Sequence, residues 1–166
     1  MSIIKGRVWI FDDNVDTDQI LPGYAMAEDF STLSRYAMAG SKTADFPKLV
    51  QTGDIIVAGK NFGCGSSREQ APVALKEARV SLVIASSFAR IFRRNSINIG
   101  LPVMLADIRD CLRQGDVIEV DIEQGTICLG DQTLVGKALS NNVLMTIKAG
   151  GLINRVRQEL KLRISN

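Results

Sequence analysis

The 166-residue chain contains no histidine. That excludes a Ser-His-Asp triad, a Cys-His pair, a histidine proton shuttle and any His-ligated metal within it. A proton moved here is moved by Ser, Lys, Asp, Glu, Tyr or Cys, or with help from a second chain. Cysteine is scarce too. Cys64, Cys111 and Cys128 are odd in number and far apart, and no Cys-x-x-Cys is present. Such usage predicts free thiols in a reducing cytoplasm, and the spacing argues against an iron–sulfur cluster held by this chain alone. Charge of one sign is nearly absent as well: twenty Lys plus Arg against eighteen Asp plus Glu leave +2. That excess calls for neither nucleic acid nor an anionic membrane as partner. The segment after Met1 lacks the apolar core of a secretory signal, and no apolar run approaches the roughly 20 residues of a membrane span. A cytoplasmic protein is expected.

With 46% apolar and 23% charged residues, the composition is that of an ordinary globular chain. Its length suits one domain over residues 1–166. Residues 3–11 read as a β-branched and aromatic strand. Four aspartates, an Asn and a Thr crowd the seven residues from Asp12 to Asp18, a stretch that reads as loop down to Pro22-Gly23. A short helix is expected over 31–39, with Ser31 as its N-cap. Asp54 to Lys60 and Ser81 to Ala85 read as buried strands. Helical patterns follow over 66–79, opened by Ser66-Ser67 with Pro72 early in it, and over 87–98, stopped by Gly100 and Pro102. Residues 101–105 form another strand. Strand, helix, strand, helix, strand implies parallel pairing, whereas 117–122 and 126–129 read as antiparallel strands. A last helix follows Ala149-Gly150-Gly151. The expected fold is α/β with a mixed sheet.

The segment that carries chemistry is Asn61-Phe62-Gly63-Cys64-Gly65-Ser66-Ser67-Arg68-Glu69-Gln70. It follows a buried strand and leads into a helix, where backbone N–H groups lack internal partners and the helix dipole is positive. Gly63 and Gly65 allow a tight turn and close approach to a ligand. Two hydroxyls and a guanidinium beside those donors suit a carboxylate or phosphate. The dinucleotide fingerprint would need a glycine where Arg68 stands, and no Walker A spacing occurs. Arg68 offers the bidentate geometry that fits a carboxylate. The same residues would also serve as a plain helix start with a solvent-facing arginine.

This segment resembles the hallmark of the swivelling β/β/α domain of the aconitase superfamily. Asp12-Asp13-Asn14-Val15-Asp16-Thr17-Asp18-Gln19-Ile20-Leu21-Pro22 resembles that family's first loop. The run from Ser86 through Phe88, Arg90 and Phe92 to Asn95, followed by Asn98-Ile99-Gly100-Leu101-Pro102, resembles its second helix and exit. Ala149-Gly150-Gly151-Leu152 is similar to its C-terminal segment. The length resembles the separate small subunits of 3-isopropylmalate dehydratases and homoaconitases. The resemblance implies a hydro-lyase that isomerises a branched hydroxy-dicarboxylic acid by dehydration and rehydration, as in leucine biosynthesis. It implies a [4Fe-4S] cluster held by a large partner subunit, in a heterodimer or heterotetramer; a homo-oligomer of the isolated chain stays open. It implies that Ser66 moves the proton as an alkoxide, aided by free N–H groups and by Arg68, and that Gly65, Ser67 and Arg68 bind substrate carboxylate. Asp18 would support the site, as a partner for an arginine or as a turn former.

The loop Pro22-Gly23-Tyr24-Ala25-Met26-Ala27-Glu28 stands where homoaconitase-type chains resemble Tyr-Leu-Arg-Thr, with the Arg reading a distal carboxylate. Ala25, Met26 and Ala27 therefore imply an apolar branch on the substrate, as in 3-isopropylmalate, rather than homocitrate. A dimethylmalate-type acid stays open, and Met26 would also serve as a core filler. A non-catalytic anion-binding module is the alternative of another class.

Overall fold

Ile55–Ala58 (β2) and Leu82–Ala85 (β3) carry only β-branched and apolar residues, and every one of them is buried. Strands of this kind need a cover on both faces. The computed structural model, which describes residues 2–165, supplies both covers. Ile3–Ile10 (β1), β2, β3 and Val103–Leu105 (β4) run parallel in the order β4-β3-β2-β1. Val117–Asp121 (β5), Thr126–Leu129 (β6) and Gln132–Val135 (β7) continue the sheet antiparallel from β1.

Alternation sorts the parallel strands' side chains onto two faces. Trp9, Ile56, Val83 and Val103 point into one core, shared with the helices Gln70–Glu77 (α3) and Arg90–Asn98 (α4) through Leu75 and Phe92. Val8, Ile55, Leu82 and Met104 point into the other, which Ile118, Val120 and Ile127 of β5 and β6 close together with Leu144. The antiparallel strands thus fold back over the parallel ones. Past β7, the Lys137 N–H reaches the Leu105 carbonyl at 2.8 Å, at the far edge of the sheet. The outcome is a mixed α/β fold, as the residue pattern predicts, in the β/β/α layering that the resemblance implies.

Several local expectations shift. Asp12–Asp18 is not all loop: Thr17–Ile20 (α1) makes one helical turn, capped by Asp16, whose carboxylate accepts from the Gln19 N–H at 2.9 Å. The helix expected over 31–39 is a 3-10 stretch, Phe30–Tyr36, and Ser31 lies inside it rather than capping it. Phe46–Leu49 (α2) and Asn141–Lys148 (α5) complete the helices before Leu152–Ser165 (α6). The helix expected from Ser66 starts only at Gln70. Pro72 sets that boundary. A helix opened at Ser66 would carry Pro72 in its interior, where the ring clashes with the preceding turn, whereas starting at Gln70 leaves it in the first turn.

At the amino end of β2, Asp54 ties three elements together. Its Oδ2 accepts from Arg7 Nη2, Trp9 Nε1 and the Gln51 N–H, each at 2.8 Å. Burial alone would raise this carboxyl, but the three donors outweigh it and hold the group below the usual aspartate range.

Candidate active site

Three loops meet at the carboxyl ends of β1, β2 and β3, the end of a parallel sheet where ligands usually bind. Backbone hydrogen bonds stitch the segment after β2 to both neighbours. The Gly63 N–H donates to the Val15 carbonyl at 2.8 Å, and the Thr17 N–H donates to Cys64 at 2.9 Å. On the other side, the Phe62 N–H donates to Ser87 at 3.0 Å, and the Ala89 N–H donates back to Phe62 at 2.9 Å. Thr17, only 3% exposed, adds a bond from its Oγ1 to the Ser66 carbonyl at 2.8 Å. Ser66 is thereby held by its backbone while its side chain faces solvent.

Both glycines of the turn have positive φ, +83° at Gly63 and +94° at Gly65, where residues with a Cβ are strained. Gly63 is required for space as well. A Cβ there would sit 2.2 Å from Phe92 Cγ, in an aromatic cluster where the rings of Phe62 and Phe92 lie 5.3 Å apart. From Gly65 to Gln70, no backbone N–H donates to a backbone carbonyl. That run of unpaired donors, rather than the helix end alone, leaves the segment able to receive an anion. α3 itself has no side-chain cap.

Arg68 lies along the loop after β1. Its guanidinium is ion-paired with Asp18, and Nη1 donates to the Leu21 carbonyl at 2.9 Å. Gly23 faces the other terminal nitrogen, with Arg68 Nη2 3.8 Å from where its Cβ would be. An open cleft of about 490 Å³ separates Gly65, Ser66, Ser67 and Arg68 from the first turns of α4. Arg90 and Arg94 line that second wall, and among the described residues no carboxylate lines the cleft. α4 begins without a side-chain cap, so its first N–H groups also open here.

Ser66, Ser67, Gly65 and Arg68 therefore share one cleft, and Asp18 touches it through Arg68. The three loop residues do not join them. Ala25 is 0% exposed, Met26 packs against the core, and exposed Ala27 lies off the cleft. The cause is a 3-10 turn at Gly23–Ala25, in which the Ala25 N–H bonds the Pro22 carbonyl and turns the alanine inward. Ala25, named with the substrate-binding residues, thus lies buried beneath this turn. Sequence reasoning missed Thr17 and the wall made by α4. The wall had a signal: Arg90 and Arg94 stand four apart on one helix with no acid beside them.

Among the described residues no group of three or more Cys, Asp or Glu side chains is placed to hold a metal ion, and the three cysteines are unpaired. The described part of the chain offers no ligand set for an iron–sulfur cluster. Among the described residues no helix is long and apolar enough to cross a membrane.

Residues 26–107 match the aconitase C-terminal domain family. Over 162 residues the chain is 45% identical to a 3-isopropylmalate dehydratase small subunit of Methanopyrus kandleri, covering 95% of each. It is 47% identical to the methanogen homoaconitase small subunit of Methanothermobacter thermautotrophicus, covering 99% of this chain and 96% of that one. The crystal structure of a 3-isopropylmalate dehydratase chain from Methanocaldococcus jannaschii superposes with a TM-score of 0.93 at 42% identity, covering 98% of both.

Proposed function

The chain belongs to the aconitase family, among the small subunits of 3-isopropylmalate dehydratases, and from that premise we propose that it completes the active site of a hydro-lyase acting on 3-isopropylmalate. In this reading residues 1–166 act as one swivelling domain that closes over a large subunit in the cytoplasm, within leucine biosynthesis. A [4Fe-4S] cluster held by the large subunit would supply Lewis-acid polarisation of the departing hydroxyl.

This chain's part is proton transfer and carboxylate binding. Ser66 oxygen takes the proton from a substrate carbon as the neighbouring carbon loses hydroxide; both are then returned at exchanged positions. An alkoxide at Ser66 needs positive surroundings, and the unpaired N–H groups from Gly65 to Gln70 provide them. Ser67 and Arg68 bind the carboxylate beside the reacting carbon, with Asp18 and the Leu21 carbonyl holding the guanidinium in place. The observation that carries the proposal is the meeting of Ser66, Ser67 and Arg68 on one cleft floored by those donors.

Identity alone does not separate isopropylmalate from homocitrate as substrate, since relatives of both names stand at 45% and 47%. The loop from Pro22 to Glu28 favours the former. It carries no cation to pair an additional carboxylate, and Glu28 would repel one. Ala25 shapes this loop from beneath, leaving Met26 and Ala27 as its apolar edge. The test is to combine the chain with its iron–sulfur large subunit and assay 3-isopropylmalate, homocitrate and 2,3-dimethylmalate. The expected result is turnover of isopropylmalate at least tenfold faster in kcat/KM than of the others, which about 1.4 kcal/mol of discrimination provides. Equal or greater turnover of homocitrate would overturn the substrate assignment, and no turnover of any acid would overturn the enzyme reading.

A further inference from the structure

We infer that Arg90 and Arg94 bind the second carboxylate of a dicarboxylate substrate, opposite the one held at Ser67 and Arg68. The inference rests on the hydro-lyase reading above and assigns the other half of its ligand.

Arg68 is already engaged: Asp18 and the Leu21 carbonyl occupy Nη1. Arg90 and Arg94 form no ion pair among the described residues, and both line the cleft across from Ser66 and Ser67. Their spacing of four puts them on one face of α4. Their position is electrostatically unfavourable without a ligand. Like charges four apart on a helix repel, and Arg90 opens α4, at the end where the helix dipole disfavours a cation. α4 has no acid in its first turn to offset this. A carboxylate between the two guanidiniums and the uncapped N–H groups relieves both conflicts at once. Local conflict of this sort is expected where a ligand completes the arrangement. The half-buried Asn95, on the same wall, adds an amide donor.

The residues pair with the cleft's dimensions. A cavity of about 490 Å³ lies between the two walls, within the range of small-molecule sites. The four-carbon diacid backbone of an isopropylmalate therefore has a cationic wall at each end and Ser66 along its length.

The experiment uses the assembled complex with Arg90→Gln, Arg94→Gln and, as control, Arg93→Gln, which lines a different groove beside β4. Substrate kinetics and subunit affinity are measured for each. Arg90→Gln and Arg94→Gln should raise KM about tenfold, as loss of a charge-assisted hydrogen bond does, with kcat changed less than threefold and subunit affinity kept; Arg93→Gln should leave KM unchanged. A product-like inhibitor whose second carboxylate, the one assigned to Arg90 and Arg94, is converted to its amide should bind wild type and Arg94→Gln alike. Weakened subunit affinity with wild-type KM at saturating large subunit would instead make these arginines a docking surface and overturn the inference. Equal KM changes in all three variants would overturn it too. Inactivity of the wild-type complex would count against the hydro-lyase reading itself, and binding of the diacid to that complex, measured calorimetrically, would still decide the role of the arginines.

Discussion

Replacing Gly63 and Gly65 by alanine separates backbone strain from crowding within one turn. Both glycines have left-handed φ, so either substitution costs about 1–2 kcal/mol for conformation. They differ in what the new methyl group meets. At Gly65 the nearest atoms, Asp16 Cβ and Thr17 Oγ1, lie at 3.5 Å, ordinary contact. At Gly63 the methyl group falls 2.2 Å from Phe92 Cγ and 2.4 Å from its Cβ. Phe92 is buried on the inner face of α4 and stacked against Phe88, so it cannot swing clear, and overpacking of this kind adds about 1–3 kcal/mol. Gly65→Ala should therefore lose about 1–2 kcal/mol and Gly63→Ala about 2–5. For a chain of this size each kcal/mol lowers the midpoint by roughly 2–4 °C. Thermal unfolding followed by circular dichroism reads the difference. Combining Gly63→Ala with Phe92→Ala should cost less than the sum of the two, with coupling of about 1 kcal/mol or more. Equal midpoints for the two alanine variants, together with an additive double mutant, would refute the packing attributed to Gly63.

Thr17→Val keeps the volume but removes the donor to the Ser66 carbonyl. We expect about 1 kcal/mol of lost stability and, in the assembled enzyme, a fall in kcat larger than the rise in KM; unchanged kcat would show that this bond does not position Ser66. Asp54→Asn removes the charge that three donors share at the other end of the sheet. Its partner Arg7 is one-third exposed, so the loss should be nearer 2 kcal/mol than the 3–5 of a fully buried pair. Because the folded carboxyl is depressed, its stabilisation is complete above the unfolded value of about 3.9 and fades as pH falls through the folded one. The gap between wild type and Asp54→Asn should be constant near neutrality and shrink in acid, as measured by urea unfolding across pH; a gap that widened in acid would contradict this.

Much of the central architecture can be read along the chain. β2 and β3 are continuous apolar runs, and a strand buried on both faces has no other pattern available. β7 is nearly all exposed, so no alternation marks it. α5 did leave a trace, Ser140 as its cap and Val143, Leu144 and Ile147 at helical spacing, within a segment too short to stand out. At the site, the Gly63-to-Arg68 run announces its chemistry by residue type. What sequence could not convey is long-range: that Thr17 bonds a carbonyl forty-nine residues away, that Ala25 turns inward, and that α4 forms the opposite wall. Those follow from how β1, β2 and β3 end side by side.

The most direct test of the central claim is exchange of substrate hydrogen with solvent in the assembled enzyme. In deuterated water the wild type should incorporate deuterium at the carbon that loses its proton. Ser66→Ala should still bind 3-isopropylmalate and the large subunit, yet lose incorporation by at least a hundredfold, the lower range for a positioned proton-transfer group. Deuterium entering at the wild-type rate in Ser66→Ala would place the base elsewhere and contradict the account.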